Sequence, residues 1–302
     1  YCAKVLEPLG ADTAGSRYLD PDGSFPNHIP NPENETAMQS ILDAVQESKA
    51  DLGIIFDTDV DRAGAVLSDG TELNRNRIIA MMAAILLREH PGTTIVTDSI
   101  TSTGLAAFIR KHGGVHHRFK RGYRNVINES MRLNREGHDS QLAMETSGHG
   151  ALKENYFLDD GAYLVTRLLI ELARAKKEGY TLESLIADLA EPAESKEFRM
   201  NILVPDFKAY GQKIIDELNV YAASQPGWSV APDNFEGVRV NLDKAHGDGW
   251  FLLRLSLHDP LIPLNIESDS VGGVRQIAAE LAPFLRPFDQ LDTSALLAFA
   301  GC

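Results

Sequence analysis

The sequence predicts an α/β architecture with largely parallel sheets through its first two thirds, followed by a separate α+β domain. Three observations carry this. Segments of helical periodicity alternate with short β-branched apolar runs, as strands joined by helices require. Around Ala190-Glu-Pro-Ala-Glu-Ser-Lys the composition turns charged and small, and the pattern beyond it becomes strand, helix, then several strands, which places a boundary near 196. The length, 302 residues of which 43% are hydrophobic and 24% charged, suits two or three domains, each able to bury a core.

The elements follow in order. A helix is expected at Thr36 to Lys49, then a strand Leu52 to Phe56 ending in Asp57 and a short strand Gly64 to Leu67, with Asp69-Gly70 closing the hairpin. Asn74 caps a helix to about Glu89, in which the apolar run Ile78 to Leu87 reads as core, and Pro91-Gly92 stops it. Thr94 to Thr97 reads as a strand and Ser102 to His112 as a helix ended by Gly113-Gly114. A strand near Val115 to Arg118, a helix near Tyr123 to Arg135 and a strand Gln141 to Met144 come next. The helix Asp160 to Lys177 carries Leu164, Val165, Leu168, Leu169, Leu172 and Ala173 on one stripe, which packs on a sheet. Beyond the boundary we expect a helix at Phe207 to Ala222, strands Val238 to Leu242, Trp250 to Leu257 and Ile262 to Glu267, and a helix Val271 to Leu285.

Charge excludes some functions. With 29 Lys and Arg against 43 Asp and Glu, the net −14 opposes the counterion release by which proteins hold nucleic acid, and argues equally against an anionic membrane. An anionic substrate would need a local basic cluster. No run approaches a membrane span in length. The two cysteines, Cys2 and Cys302, have no disulfide or zinc spacing, so a reducing, cytoplasmic location is expected. The opening Tyr1-Cys-Ala-Lys-Val-Leu lacks leader character, and the expectation is a chain that starts mid-protein.

Asp57-Thr-Asp59-Val-Asp61-Arg62 is the strongest local signal: three carboxylates at i, i+2, i+4 leave an apolar strand and converge, which demands a cation. Their hard oxygens favour Mg²⁺ or Mn²⁺ over zinc. Arg62 adds a fixed positive charge suited to a phosphate. A calcium loop of the EF-hand type fails, because Arg62 and Ser68 stand where Gly and Glu belong. A phosphatase of the haloacid-dehalogenase type, with Asp57 as nucleophile, is the alternative. Met144-Glu145-Thr146-Ser147-Gly148-His149 forms a turn offering a carboxylate, two hydroxyls and an imidazole, groups that suit sugar hydroxyls. In the C-terminal part Arg254, Ser256 and His258 alternate with leucines before Asp259-Pro260 and form a candidate anion site.

In this order and spacing the motifs resemble the α-D-phosphohexomutase family, in particular its phosphomannomutase/phosphoglucomutase branch. That family's metal loop usually reads Asp-Gly-Asp-Gly-Asp-Arg; here both glycines are replaced, by Thr58 and Val60, while every carboxylate stands. Its sugar loop, Gly-Glu-x-Ser-Gly-His, matches Met144 to His149, and its phosphate loop, Arg-Pro-Ser-Gly-Thr-Glu-Pro, aligns with Arg254 to Pro260, with His258 for the usual Thr. Phe119-Lys120-Arg121-Gly122-Tyr123 is similar to the family's Lys-Thr-Gly-His segment, with Tyr123 in place of His.

The resemblance implies two mixed-sheet α/β domains followed by an α+β C-terminal domain: residues 1–71 as most of domain II, 72–197 as domain III and 198–302 as domain IV. It implies interconversion of hexose 1-phosphate and hexose 6-phosphate, of glucose or mannose, through a bisphosphate such as glucose 1,6-bisphosphate. Mg²⁺ would sit on Asp57, Asp59 and Asp61. Arg62 and Lys120 would serve the transferring phosphoryl group, Glu145, Ser147 and His149 the sugar, and Arg254, Ser256 and His258 the second phosphate. The family's phosphoserine loop does not occur in the sequence, so this chain alone is expected to be nearly inactive, and a plastid location would follow if a transit peptide preceded it. A sugar-phosphate receptor without chemistry is the remaining alternative.

Overall fold

The computed structural model describes residues 1–256 and 259–301 and divides into two compact units, Tyr1–His117 with Arg121–Leu189, and Arg118–Lys120 with the chain from Ala190 onward. In the first unit, α1 (Glu35–Ser48) starts at Asn34, whose side chain accepts from Ala37 N–H, and stops at Lys49 in the left-handed region, φ 54°. The strands β1 (Leu52–Phe56), β2 (Ala63–Leu67) and β3 (Glu72–Leu73) form one antiparallel sheet in that order. Next come α2 (Arg75–Glu89), β4 (Thr94–Thr97), α3 (Thr103–Lys111), β5 (Val115–Arg118), α4 (Tyr123–Arg135), β6 (Ser140–Met144), β7 (Gly150–Leu152) and α5 (Gly161–Glu178).

The second sheet has the order β5-β4-β6-β7, with β4 and β6 parallel and β6 and β7 antiparallel. The architecture is mixed-sheet α/β, but the expectation of largely parallel sheets fails, for a reason of chain length. Residues 57–62 join β1 to β2 and residues 145–149 join β6 to β7, far too short for the crossover that a parallel pair needs. Both short connections carry candidate site residues. The core of this unit runs across both sheets: α2 buries every residue from Ile78 to Leu87 against Leu67 and Leu73, against Leu142 and Met144, and against Leu164 and Leu168 of α5. The stripe on α5 is narrower than expected, since Ala173 is exposed and Leu169 and Leu172 are half-buried. The Asp69-Gly70 turn joins β2 to β3, a strand of two residues too short for any periodicity to announce.

The second unit follows with β8 (Glu194–Asn201), α6 (Phe207–Ala222), β9 (Trp228–Val230), β10 (Val238–Leu242), β11 (Gly249–Leu253), β12 (Leu261–Ser268), α7 (Gly273–Leu285) and α8 (Ser294–Ala300). Its sheet is antiparallel in the order β8-β12-β11-β10-β9, and one face, with Val240, Phe251, Leu253 and Leu264, packs against Ile214, Leu218, Ile277 and Leu281 of α6 and α7. Strand β8 pairs with β12 along its whole length from Glu194, so this sheet begins before position 196. The strand expected at Trp250 to Leu257 ends at Leu253. Pro263 comes opposite the next residue, Arg254, and has no N–H to return to the ladder. Among the described residues no helix is long and apolar enough to cross a membrane.

Candidate functional site

Strand β1 delivers Asp57 into the connection to β2, where six residues must reverse the chain. Asp57 closes that loop on Arg62: its Oδ1 accepts the Arg62 backbone N–H at 3.1 Å and its Oδ2 the Arg62 Nε–H at 2.8 Å. Burial opposes its charge, but these two hydrogen bonds outweigh burial and hold the carboxyl below the ordinary carboxylate range. The reversal also forces Val60 into the left-handed region, φ 66°, a conformation that the sterics of a β-branched side chain disfavour.

Asp57, Asp59 and Asp61 each bring one oxygen within 4.8 Å of the others. Burial first, and then the neighbouring Asp57, push the Asp61 carboxyl up to about 6. Its Oδ1 is buried and receives no hydrogen bond among the described residues, with Arg62 Nε 3.9 Å away. Three hard oxygens and one orphaned acceptor make a donor set that fits a divalent cation such as Mg²⁺.

The second loop, from β6 to β7, lies on the first. Arg62 and His149 form a backbone bridge, joining residues remote in sequence. His149 Nδ1 is 2.7 Å from Asp159 Oδ2 and 3.5 Å from Asp61 Oδ2. Burial would depress this imidazole, yet Asp159, with Asp61 and Glu145 behind it, raises its pKa above the ordinary histidine value. Tyr123 stacks on the same ring at 5.1 Å between centroids. Two glycines permit the approach. A Cβ on Gly148, φ 99°, would come 3.1 Å from Ala63 O, and one on Gly161, whose N–H donates to Val60 O, would meet Arg62 O at 2.9 Å.

Glu145 is 3% exposed. Its Oε1 accepts the Gly122 N–H at 2.6 Å, and Ser147 Oγ lies 3.5 Å from Oε2. Burial, and then the charge of Asp98, push Glu145 up to about 7 against the opposing pull of Gly122 N–H and Arg121. Near neutrality this carboxyl is therefore available both as acceptor and as donor.

In the second unit, Arg254 and Ser256 continue from β11 as irregular chain, with Arg254 N–H donating to Pro263 O at 3.2 Å and Ser256 N–H to Leu261 O at 3.0 Å. Ser256 Oγ accepts the Asp259 N–H at 3.2 Å. His258 lies outside the described residues. Lys120 is exposed in the connection from β5 to α4 and falls in the second unit. The first unit thus brings together Asp57, Asp59, Asp61, Arg62, Glu145, Ser147 and His149.

A model of phosphoglucomutase/phosphomannomutase alpha/beta/alpha domain II matches residues 1–70, and one of the same family's alpha/beta/alpha domain III matches residues 74–192. The chain belongs to the phosphoglucomutase/phosphomannomutase family. It is 30% identical to a phosphoglucomutase of Neisseria meningitidis over 92% of this chain and 56% of that protein. It is 32% identical to a phosphomannomutase/phosphoglucomutase of Pseudomonas putida over 91% of this chain and 55% of that protein. The structure of a phosphoglucomutase/phosphomannomutase family protein from Burkholderia thailandensis superposes with a TM-score of 0.73 at 29% identity, covering 90% of this chain and 55% of that one. The chain spans a little over half the length of the curated relatives it matches.

The phosphatase alternative loses its footing, because the family models match both the segment with the acidic loop and the segment with the Glu145 loop. Two carboxylates escaped the sequence reading. Asp98, fully buried, accepts the Thr146 Oγ–H at 2.8 Å and lies 4.0 Å from Arg121 Nε. Asp159 holds His149 through Oδ2 and the Gly150 N–H through Oδ1 at 3.0 Å. A signal for Asp98 existed: it follows β4 as Asp57 follows β1, a carboxylate at the end of an apolar strand.

Proposed function

We propose that this chain is the metal- and sugar-binding part of a phosphohexomutase that interconverts hexose 1-phosphate and hexose 6-phosphate, of glucose or mannose, through a bisphosphate. The observation that carries the reading is the Arg62–His149 bridge, which sets the acidic loop and the Glu145–Ser147 loop side by side. Residues 1–71, 72–197 and 198–302 are proposed as domains II, III and IV. Two related structures, at 14% identity, are described as N-acetylphosphoglucosamine mutase with GlcNAc-6P and magnesium, and with glucose 1,6-bisphosphate. We infer Mg²⁺ and sugar phosphates here as well, and a cytoplasmic location in keeping with the free thiol of Cys2.

On this reading Asp57, Asp59 and Asp61 hold Mg²⁺, which when bound neutralises charge on the transferring phosphoryl group. Arg62 commits Nε to Asp57, and its terminal nitrogens, which make no hydrogen bond among the described residues, face the task of gripping phosphate. Glu145 has Oε1 fixed by Gly122 and uses Oε2, with Ser147 Oγ, for sugar hydroxyls. Its pKa of about 7 lets it accept from one hydroxyl and donate to another as the sugar reverses. Lys120, Arg254, Ser256 and His258 serve the phosphates, as phosphoryl transfer depends mainly on positioning and charge neutralisation.

The test is a calorimetric titration of this chain with glucose 1,6-bisphosphate, with and without Mg²⁺. Binding that strengthens with Mg²⁺ and weakens in Glu145→Ala supports the reading. A folded chain that binds neither the metal nor the bisphosphate overturns it.

A further inference from the structure

We propose that Asp98 is a positioning residue for the loop from β6 to β7: it pins Thr146 within that turn and sets a fixed negative charge beside Glu145. The inference rests on the reading of Glu145 and Ser147 as the groups that meet the sugar, and it assigns what holds them in place.

Sheet geometry brings the two carboxyls together. Strands β4 and β6 are parallel with Thr97 opposite Met144, so the next residues, Asp98 and Glu145, leave the sheet side by side at its carboxyl end. That is the end at which α/β sheets receive ligands. Asp98 is fully buried, with no surface open to a ligand, and so acts through its neighbours. A carboxylate out of water is costly unless hydrogen bonds and counter-charge repay it. Thr146 Oγ–H donates to Asp98 Oδ2 at 2.8 Å, and Arg121 Nε lies 4.0 Å from the same oxygen.

Both partners adjoin Glu145. Thr146 follows it in the chain, and Arg121 precedes Gly122, whose N–H donates to Glu145 Oε1 at 2.6 Å. Asp98 is thus tied on one side to the turn that carries Glu145 and on the other to the segment that grips it. Thr146 is buried as well, so its hydroxyl is committed to Asp98 rather than to water. Asp98 is itself braced: its C=O accepts the Thr97 Oγ–H at 3.3 Å and the Thr101 Oγ–H at 3.1 Å, and Ser102 then caps α3 by accepting the Leu105 N–H.

Charge adds a second effect. The groups that face Glu145 are Asp98 from the end of β4, Arg121 and the Gly122 N–H from the connection of β5 to α4, and His149 from its own turn. Among these Asp98 alone is negative. Burial and Asp98 favour the protonated carboxyl, whereas Gly122, Arg121 and His149 favour the ionised one. Without the charge at Asp98 the balance turns towards the carboxylate, and Glu145 loses its capacity to donate near neutrality. A residue that only filled its space could be replaced by Asn with no such consequence.

The test follows two properties of the ligand-free chain, the titration of the Glu145 side-chain carboxyl by carbon NMR and amide exchange at Gly122. In Asp98→Asn, which keeps an acceptor for Thr146 and removes the charge, the Glu145 midpoint should fall by about one pH unit or more. In Thr146→Val, which keeps the charge and removes the hydroxyl, Gly122 exchange should quicken about tenfold and affinity for glucose 1,6-bisphosphate should fall by about the same factor, both restored in Thr146→Ser. An unmoved Glu145 midpoint in folded Asp98→Asn overturns the proposal, and so does parental Gly122 exchange in Thr146→Val. Should Asp98→Asn fail to fold, the two Thr146 variants decide. Titration and exchange need neither sugar phosphate nor metal, so a parent chain that binds no bisphosphate speaks against the mutase reading alone.

Discussion

The two units present their candidate ligand-binding residues in opposite ways. In the first, the Asp57–Arg62 and Glu145–His149 loops are tied to each other by a backbone bridge, and Asp57, His149 and Glu145 each have a short hydrogen bond to a partner that fixes their orientation. In the second, Arg254 and Ser256 are placed by the register of β11 on β12, through the backbone bonds to Pro263 and Leu261. The contrast teaches that a site made from several like charges must be cross-braced before any ligand arrives, since each carboxylate raises the cost of the next. A site made from donors at a hairpin end needs only strand pairing to be in place.

The largest effect expected from breaking this contrast is at Arg62. Arg62→Ala leaves Asp57 buried without its counter-charge and should destabilise the chain by about 3 kcal/mol in urea unfolding, with part of the loss restored by millimolar Mg²⁺. If Mg²⁺ restores nothing, the acidic loop is not a cation site. Arg254→Ala is expected to act on the ligand: affinity for glucose 1,6-bisphosphate falls by about 1.5–3 kcal/mol, the scale of a lost charged hydrogen bond. Unchanged affinity would remove Arg254 from the phosphate site.

A third prediction concerns pH and separates the rigid sheet of the second unit from its loop. Glu267 on β12 accepts the Trp250 Nε1–H at 2.9 Å, and burial pushes its carboxyl up to about 7 despite the charge of Arg239. The folded chain therefore holds a proton that the unfolded chain, with a pKa near 4.5, releases earlier. The stability this contributes is complete below about 4.5 and is lost as pH rises to about 7, an effect of roughly 3 kcal/mol. Glu267→Gln should flatten that slope, measured as unfolding midpoints at pH 5 and 8. An unaltered slope would show that Glu267 titrates normally. The smallest effect sharpens the first region: Val60→Gly relieves the left-handed φ and should stabilise by about 0.5–1 kcal/mol, net of the extra freedom of Gly when unfolded. A loss of stability would mean that the Val60 side chain contributes more packing than strain.

Much of the fold was legible in the sequence. Leu52–Phe56, Thr94–Thr97, Val115–Arg118, Phe207–Ala222 and Val238–Leu242 have the bounds that their periodicity and flanking turns announce. Helix α2 starts after Asn74 as expected, but the Asn74 side chain donates to Glu72 Oε2 at 3.3 Å and does not accept a first-turn N–H, so that cap is one of position only. Strands of two or three residues, β3, β7 and β9, escaped because a period of two cannot be recognised in so few positions. The extent of β11 was misjudged because its alternation runs on past Leu253, whereas its limit is set by Pro263 on another strand.

The sequence by itself determined which residues could do chemistry: an apolar strand releasing Asp57, Asp59, Asp61 and Arg62, a turn carrying Glu145, Ser147 and His149, and basic and hydroxyl groups at Arg254 and Ser256. These choices are local, resting on residue type and short spacing. Only packing sets His149 against Asp61 and Asp159 and Asp98 beside Glu145. Charge coupling falls off with distance in space and hydrogen bonds need contact, so neither exists until packing sets residues remote in the chain side by side.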